Sequence, residues 1–361
     1  MAQTKLRAGI IGCGGIANGK HLPSMKKTNK FDVVALCDIV EARARKAAKE
    51  YGTKDAKVYT DYKKLLEDKT IDVVYVLTPN KSHSFITIDA LESGKHVLCE
   101  KPMAKTSKEA KEMVETAKRV GKLLTIGYNN RYNPSSLYIK GAADRGDFGE
   151  IYFARAHALR RRAVPTWGVF LNEEEQGGGP LIDIGTHALD MTLWFMNNYK
   201  PKSVMGNVYH KLNANGVCGN IFGPWDPKEF TVEDSAFGFI TMENGATISL
   251  DSSWALNMLD AFEARATICG TKGGADMHNG GVRINGDDFG KLYEKSPRLD
   301  AGGVAFYDGD SEDPVVKEQL VLYNAITQGK PLVILPEQAY VVTQILEAIY
   351  ESAKTGKLVT F

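Results

Sequence analysis

Leu6-Arg7-Ala8-Gly9-Ile10-Ile11-Gly12-Cys13-Gly14-Gly15-Ile16-Ala17 is the stretch that decides the reading of this chain. A short apolar run of strand length, Leu6–Ile11, ends in a cluster of glycines, and an amphipathic segment follows. Gly12 permits the tight turn, Gly14 lets the backbone approach a pyrophosphate, and Ala17 is small enough for a helix to pack on the strand. The backbone N–H groups of Gly12, Cys13, Gly14, Gly15 and Ile16, at a helix N-terminus with its partial positive charge, suit an anion. A second apolar run, Val33–Cys37, ends in Asp38, where a carboxylate accepts both hydroxyls of a ribose. That carboxylate repels a 2′-phosphate, and Ile39-Val40 supplies no cation to offset it. The expected cofactor is therefore NAD rather than NADP. Arg43 and Arg45 read as a solvated helix face.

Working outward, the first third alternates strand and helix patterns. Strands are predicted at 6–11, 32–37, 72–77, 96–99 and 123–127, with a short one near 57–59. Amphipathic stretches fall at 15–27, 41–51, 61–67, 82–93 and 107–119, the last opened by the capping-box spacing of Thr106 and Glu109. This alternation implies an α/β fold, a doubly wound parallel sheet with ligands at the carboxyl edge of its strands. After Tyr128 the pattern changes. Longer strands are predicted at 151–159, 204–212, 235–242, 246–254 and 263–270, with Asn244-Gly245 as a hairpin turn. Helices are predicted at 183–196, 313–328 and 336–355. The expectation is a Rossmann domain over 1–128 and a substrate-binding and oligomerisation α+β domain over 129–361, built on a large open, mostly antiparallel sheet. Asn129, Asn130, Asn133 and Pro134 break the pattern at the boundary.

Lys and Arg number 45 against 44 Asp and Glu, so no global field draws the chain to nucleic acid or an anionic membrane. Cys13, Cys37, Cys99, Cys218 and Cys269 form no C-x-x-C, which argues for a reducing compartment and against a structural zinc. With no apolar leader and no bilayer-length apolar run, the expected location is cytoplasmic.

Two blocks carry candidate chemistry. Cys99-Glu100-Lys101-Pro102-Met103 stands at the end of a predicted strand, so Lys101 is placed toward the ligand crevice, with Pro102 fixing the turn through a cis bond. Lys101 could there hydrogen-bond to, or help deprotonate, a hydroxyl. Gly177-Gly178-Gly179-Pro180 precedes Leu181-Ile182-Asp183-Ile184-Gly185-Thr186-His187, where Asp183 and His187 share a helix face near its N-terminus. A helix N-terminus favours neutral histidine, which suits a general base. No third ligand stands at motif spacing, so no metal is expected. Asp190, one turn on, reads as facing solvent.

Gly12–Ala17, Glu100-Lys101-Pro102 and Asp183-Ile184-Gly185-Thr186-His187, in this order, resemble the Gfo/Idh/MocA (glucose–fructose oxidoreductase and inositol dehydrogenase) family over nearly the whole chain. The resemblance implies that Lys101, Asp183 and His187 are the catalytic trio at the nicotinamide. It also implies that Thr78, Asn80 and His83 lie toward the adenosine and ribose, Glu100 beside the nicotinamide ribose, and Asn129 near the carboxamide. Arg162 and Trp167 resemble loop residues that flank cofactor and substrate. On the residues alone, Asn80 and His83 read equally as caps of the helix at 82–93, Trp167 as core, and Arg160-Arg161-Arg162 as a solvated run. Residues 213–230 and 286–312, the latter with Asp287, Asp288, Asp300, Asp308 and Asp310, look like inserted loops.

The leading expectation is an NAD-dependent oxidoreductase that reversibly oxidises a secondary hydroxyl of a sugar, glycoside or cyclitol; the resemblance includes members acting at C3 of a pyranoside. His187 is the expected base, Lys101 the polarising partner and Asp183 the group that orients substrate hydroxyls. Two alternatives stay open: a redox-neutral glycosidase that holds NAD, and a catalytically silent NAD-sensing regulator. Phe237, Phe239 and Thr241 are predicted on one face of their strand, with Ala236, Gly238 and Ile240 on the other. Apolar residues on both faces imply a homodimer or homotetramer through the sheet.

Overall fold

Six parallel strands make up the sheet of the first unit. The computed structural model describes residues 5–215, 219–261, 263–278, 280–299 and 313–361. The sheet consists of β1 (Leu6–Ile11), β2 (Phe31–Cys37), β3 (Gly52–Tyr59), β4 (Val73–Val76), β5 (His96–Cys99) and β6 (Leu124–Ile126). Their order, β3-β2-β1-β4-β5-β6, is doubly wound and reverses direction between β1 and β4. The crossovers are α1 (Leu22–Thr28), α2 (Glu41–Tyr51), α3 (Tyr62–Leu66), α4 (His83–Glu92) and α5 (Ser107–Val120). Val73, Val74, Tyr75 and Val76 are all fully buried, as a parallel strand covered on both faces requires. The capping box of α5 forms: Glu109 N donates to Thr106 Oγ1 at 3.2 Å, and Thr106 N donates back to Glu109 Oε2 at 3.1 Å.

The first unit comprises residues up to Asn129 together with 312–340. The later segment adds α9 (Pro314–Gln328), whose Leu322 and Tyr323 join the core of Leu6, Phe31 and Tyr75. The helix grouped from sequence with the second half thus packs in the first, against α1, where Leu322 and Tyr323 complete the core.

The second unit holds residues from Asn130 to Ser311 and from Val341 onward. Its helices are α6 (Pro134–Asp144), α7 (Glu173–Gln176), α8 (Thr186–Met196) and most of α10 (Pro336–Thr355). Its strands are β7 (Ile151–Leu159), β8 (Pro201–Tyr209), β9 (Ser235–Met242), β10 (Thr247–Ser253), β11 (Arg265–Gly270), β12 (Gly273–His278), β13 (Gly281–Asp288), β14 (Lys291–Lys295) and β15 (Val359–Thr360). They form a nine-stranded sheet in the order β14-β13-β12-β11-β7-β10-β9-β8-β15, antiparallel except for β7 beside β10. The facing predicted for β9 holds. Ala236, Gly238 and Ile240 are buried, and Gly238 lies opposite Gly206 of β8, where both leave room for Ile349 of α10. Phe239 on the other face is 56 % exposed.

Two local readings are corrected. Pro134, taken as a break, opens α6, where its missing N–H costs nothing at a first helical position. Part of the supposed loop 286–312 is a β-hairpin of β13 and β14; Asp287 and Asp288 belong to β13. Asp300, Asp308 and Asp310 lie outside the described residues. No helix among the described residues is long and apolar enough to cross a membrane.

Candidate functional site

At the switch point of the first sheet, Gly12 N donates to Cys37 O at 2.8 Å, and Gly12 adopts φ +94°. A Cβ there would overlap the carbonyl of Leu77, which leads into Thr78. Only glycine lets the two loops lie so close. Around Gly14 and Gly15 the opposite holds: an added Cβ would meet nothing within 4 Å. The loop is therefore open on the side toward which those Cβ atoms would point. Asn18, which sequence reasoning missed, donates through Nδ2 to the carbonyls of Cys13 and Gly14, at 2.8 Å each. This ties the carbonyls down and leaves the N–H side of the loop for an anion. The turn at Ala17–His21 is a π-helix, a wider turn of the kind enriched at functional sites. Ile16 is exposed beside it.

Asp38 is buried, with Oδ2 accepting from Cys13 N at 2.9 Å and Oδ1 from Val40 N at 2.8 Å. Its carboxylate is thus fixed by the glycine loop itself, and each oxygen keeps a lone pair for a ribose hydroxyl. These features fit a dinucleotide. Burial pushes the thiols of Cys13 and Cys37 up to about 12, aided by the Asp38 charge, so neither is a nucleophile near neutral pH.

The loop after β4 and the loop after β5 are joined by His83. Its ring lies buried between Pro102 O and Thr78 O, 2.8 Å from each, and burial lowers its pKa against the pull of those carbonyls. Both nitrogens therefore address backbone, neither the cofactor nor the end of α4. Ser82 Oγ donates to Thr78 Oγ1 at 2.7 Å, and Asn80, half-buried, opens the single turn ahead of α4.

Lys101 is half-buried, and its bond to Pro102 is cis, as expected. Glu100 before it is almost wholly engaged within the protein. Oε1 accepts from Lys20 Nζ at 2.8 Å and from His21 Nε2 at 2.7 Å, and Oε2 accepts from Lys101 N at 3.0 Å. Burial opposes ionisation, but Lys20 and His21 together hold Glu100 well below the usual carboxylate range. Gln319 of α9 accepts from Tyr75 Oη at 2.5 Å and donates to His21 Nδ1 at 3.2 Å, which assigns the ring hydrogen to Nε2, facing Glu100. The effect is a fixed backbone at Lys101. The resemblance puts Glu100 beside a ribose; its contacts here are these protein groups. Asn129 stands half-buried three residues past β6.

In the second unit, β7 and β10 run side by side and end together at Leu159 and Ser253. Asp183 lies beyond those ends, not on an α-helix as expected but on a π-helical turn, Leu181–Gly185, that runs into α8 with His187 in its first turn. Trp254 Nε1 donates to Asp183 Oδ2 at 3.0 Å. Arg160 lies 3.9 Å from the same oxygen and is itself paired with Glu263, so it is no solvated residue. Arg162 adopts φ +59° and donates through Nε to Asn257 Oδ1 at 3.2 Å. Trp167 is 52 % exposed and meets Phe222 edge-to-face at 4.8 Å between ring centres, which removes the reading of it as core.

Two aromatic residues of the supposed loop lie in the same region: Trp225 packs on Phe230 (5.7 Å), and Phe230 on Trp254 (6.3 Å). Asp190 is a correction. It is buried and held by Arg131 at 2.9 and 2.6 Å, while Arg131 lies over the Trp194 ring; burial raises the Asp190 pKa against the arginine's charge. Nothing local in the sequence marks a partner 59 residues away.

A parallel doubly wound sheet with a glycine loop and a fixed acidic residue after β2 defines a dinucleotide-binding domain. Residues 6–128 match the oxidoreductase family with an NAD-binding Rossmann fold, and residues 136–276 match the GFO/IDH/MocA C-terminal domain. Along its length the chain is 38% identical over 357 residues to D-glucoside 3-dehydrogenase of Escherichia coli (strain K12), covering 99% of this chain and 97% of that protein. It is 32% identical over 202 residues to inositol 2-dehydrogenase of Salmonella typhimurium (strain LT2), covering 55% of this chain and 57% of that protein. The structure of levoglucosan dehydrogenase in complex with NADH and levoglucosan superposes with a TM-score of 0.83 at 22% identity, over 99% of both chains. The chain belongs to the Gfo/Idh/MocA oxidoreductase family, and its cofactor is NAD.

Proposed function

We propose that this enzyme oxidises a secondary hydroxyl of a sugar, glycoside or cyclitol to a ketone, reversibly, with C3 of a pyranoside as the favoured position. The observation that carries the reading is the end-to-end similarity to a D-glucoside 3-dehydrogenase, at 38% identity, and the sequence carries Lys101, Asp183 and His187 as the groups for the chemistry. When bound, NAD accepts the hydride from the substrate carbon. The chain's own residues handle the rest. His187 takes the hydroxyl proton, Lys101 donates a hydrogen bond to the oxygen as it becomes an alkoxide, and Asp183 accepts from neighbouring hydroxyls. Gly14, Gly15 and Ile16 hold the pyrophosphate, Gly12 and Cys13 shape the loop through their bonds to Cys37 and Asp38, and Asp38 holds the adenosine ribose, while Thr78, Asn80, Asn129 and Trp167 line the remaining cofactor. His83 and Glu100 act by fixing the loops that carry Thr78 and Lys101. Arg162 and Trp167 contact the substrate.

The exposed face of the second sheet, with Phe239, Met205 and Tyr209, supports a homodimer or homotetramer built through it. The buried free thiols of Cys13, Cys37 and Cys99 suit the cytoplasm. The test is a screen of glucosides, free sugars and inositols with the purified protein, following nicotinamide absorbance. Stoichiometric NADH from a glucoside supports the reading, and glycoside cleavage without NADH replaces it. NAD should bind more tightly than NADP, with the gap narrowed in Asp38→Ser; equal dissociation constants in the unmodified protein would refute the role of Asp38.

A further inference from the structure

Beneath the loop that precedes Asp183 lies a carboxylate that none of the steps above uses. Glu233, just ahead of β9, is 3 % exposed. Its Oε2 accepts from Gly179 N at 2.8 Å, and its Oε1 accepts from Leu181 N at 3.1 Å and from Tyr350 Oη of α10 at 2.8 Å. The close approach explains the glycines. A Cβ on Gly178 would overlap Tyr350 Oη, and one on Gly179 would overlap the Glu233 carbonyl. From the same loop Gly179 O accepts from Asp183 N at 2.9 Å, and Pro180 O accepts from Ser252 Oγ at 2.7 Å. The carboxylate thus holds both N–H groups that frame the start of the π-helical turn bearing Asp183.

We propose that Glu233 is a positioning residue: its carboxylate, oriented by Tyr350, anchors Gly179 and Leu181 and so sets the turn that presents Asp183 and His187. The inference rests on the reading of those two residues as working groups. Glu233 forms no ion pair among the described residues. The titratable group bonded to it is Tyr350 of α10, on which Glu173 of α7 acts in turn, while Asp183 on the turn is bonded to Trp254. Asp234 beside it is engaged by Leu212 N and Ser235 Oγ. Burial accordingly pushes Glu233 up to about 7, while Gly179, Tyr350 and Leu181 oppose the rise. Above that pH both oxygens accept; below it one carries a hydrogen, and the anchor on the backbone N–H groups weakens.

Trp254 reports on the turn because its indole N–H donates to Asp183. The intact protein, labelled with 5-fluorotryptophan, would be followed by ¹⁹F NMR between about pH 5.5 and 9, with the Trp254 resonance assigned from Trp254→Phe. The expected result is a shift of that resonance with a midpoint near 7, absent in Glu233→Gln and restored in Glu233→Asp. Tyr350→Phe, which removes one donor to the carboxylate, should raise the midpoint by about half a unit or more, and it keeps the test alive if Glu233→Gln does not fold. A Trp254 resonance that stays still in the unmodified protein, titrates identically in Glu233→Gln, or keeps its midpoint in Tyr350→Phe overturns the proposal. None of these readouts needs a substrate, so failure of the sugar screen leaves them intact.

Discussion

Glu100 in the first unit and Glu233 in the second are both buried carboxylates that accept backbone N–H groups beside a proposed catalytic residue, yet their compensation differs in kind. Glu100 faces an ammonium and an imidazole, Lys20 and His21, and stays ionised well below the usual range. Glu233 faces two amides and a phenol and is pushed up to about 7. Neutral donors solvate a carboxylate without supplying charge, so burial wins at Glu233 and loses at Glu100. One fold therefore fixes Lys101 at any physiological pH and fixes the turn of Asp183 in a way that titrates.

The largest effects should come from the groups these carboxylates hold. Lys101→Ala or His187→Ala is expected to lower kcat by ~10²–10⁴, the usual range for a positioned proton-transfer group, with NAD affinity little changed. Asp183→Ala should act more on KM, since its role is orientation. If His187→Ala kept normal turnover across pH, the base would move to Lys101, and the second unit would lose its claim to the proton transfer.

Stability separates the two glutamates next. Glu100→Gln leaves Lys20 only its more distant partner, Glu318 at 3.5 Å, and breaking the nearer buried ion pair costs up to ~3–5 kcal/mol. Glu233→Gln strands no charge; it sets an NH₂ against a backbone N–H, a loss of ~1–3 kcal/mol. Urea unfolding at neutral pH measures both, and equal costs would break the comparison.

The strand, glycine loop and acidic residue at 6–38 and the Lys-Pro turn were legible because each is a local demand of backbone on side chain. What escaped is non-local or weakly patterned. Glu233 meets Gly179 across 54 residues and Gln319 meets His21 across 298, so no window contains either pair. β14 escaped because Lys291–Lys295 is an exposed edge with no buried residue to alternate. Gly178 and Gly179 answer to Tyr350 and Glu233, which lie against them from far along the chain. His83 signalled a polar role and found two carbonyls.

Titration gives opposite signs. The Glu100 pKa is depressed, so its contribution to stability is present at neutral pH and lost only as pH falls well into acid. The Glu233 pKa is raised, so its contribution is full below the unfolded value of ~4.5 and is lost as pH rises through about 7, on the order of 3–4 kcal/mol in all. Urea midpoints taken across that interval should fall less steeply in Glu233→Gln than in the unmodified protein. An unchanged slope would show that Glu233 does not titrate there.

The smallest effect is expected at a third buried carboxylate, and it tests whether charge or mere burial distinguishes the first two. Glu318 of α9 lies in the same cluster as Glu100, with Lys20 Nζ at 3.5 Å against 2.8 Å for Glu100. Burial raises its pKa, and the neighbouring Glu100 charge adds to that, against the pull of Lys20 and His21. One ammonium serves two carboxylates, and the nearer one takes it. Glu318 is then the weaker acid of the pair, and Glu318→Gln keeps its shape and leaves Lys20 with the nearer Glu100. Its cost should fall within about 1 kcal/mol of zero in either direction, since no charge is stranded and the ammonium keeps its partner. The same substitution should also flatten any fall in stability toward alkaline pH that Glu233→Gln leaves behind. A loss as large as that of Glu100→Gln would mean that both carboxylates are ionised around Lys20, and the contrast between the two units would then rest on Glu233 alone.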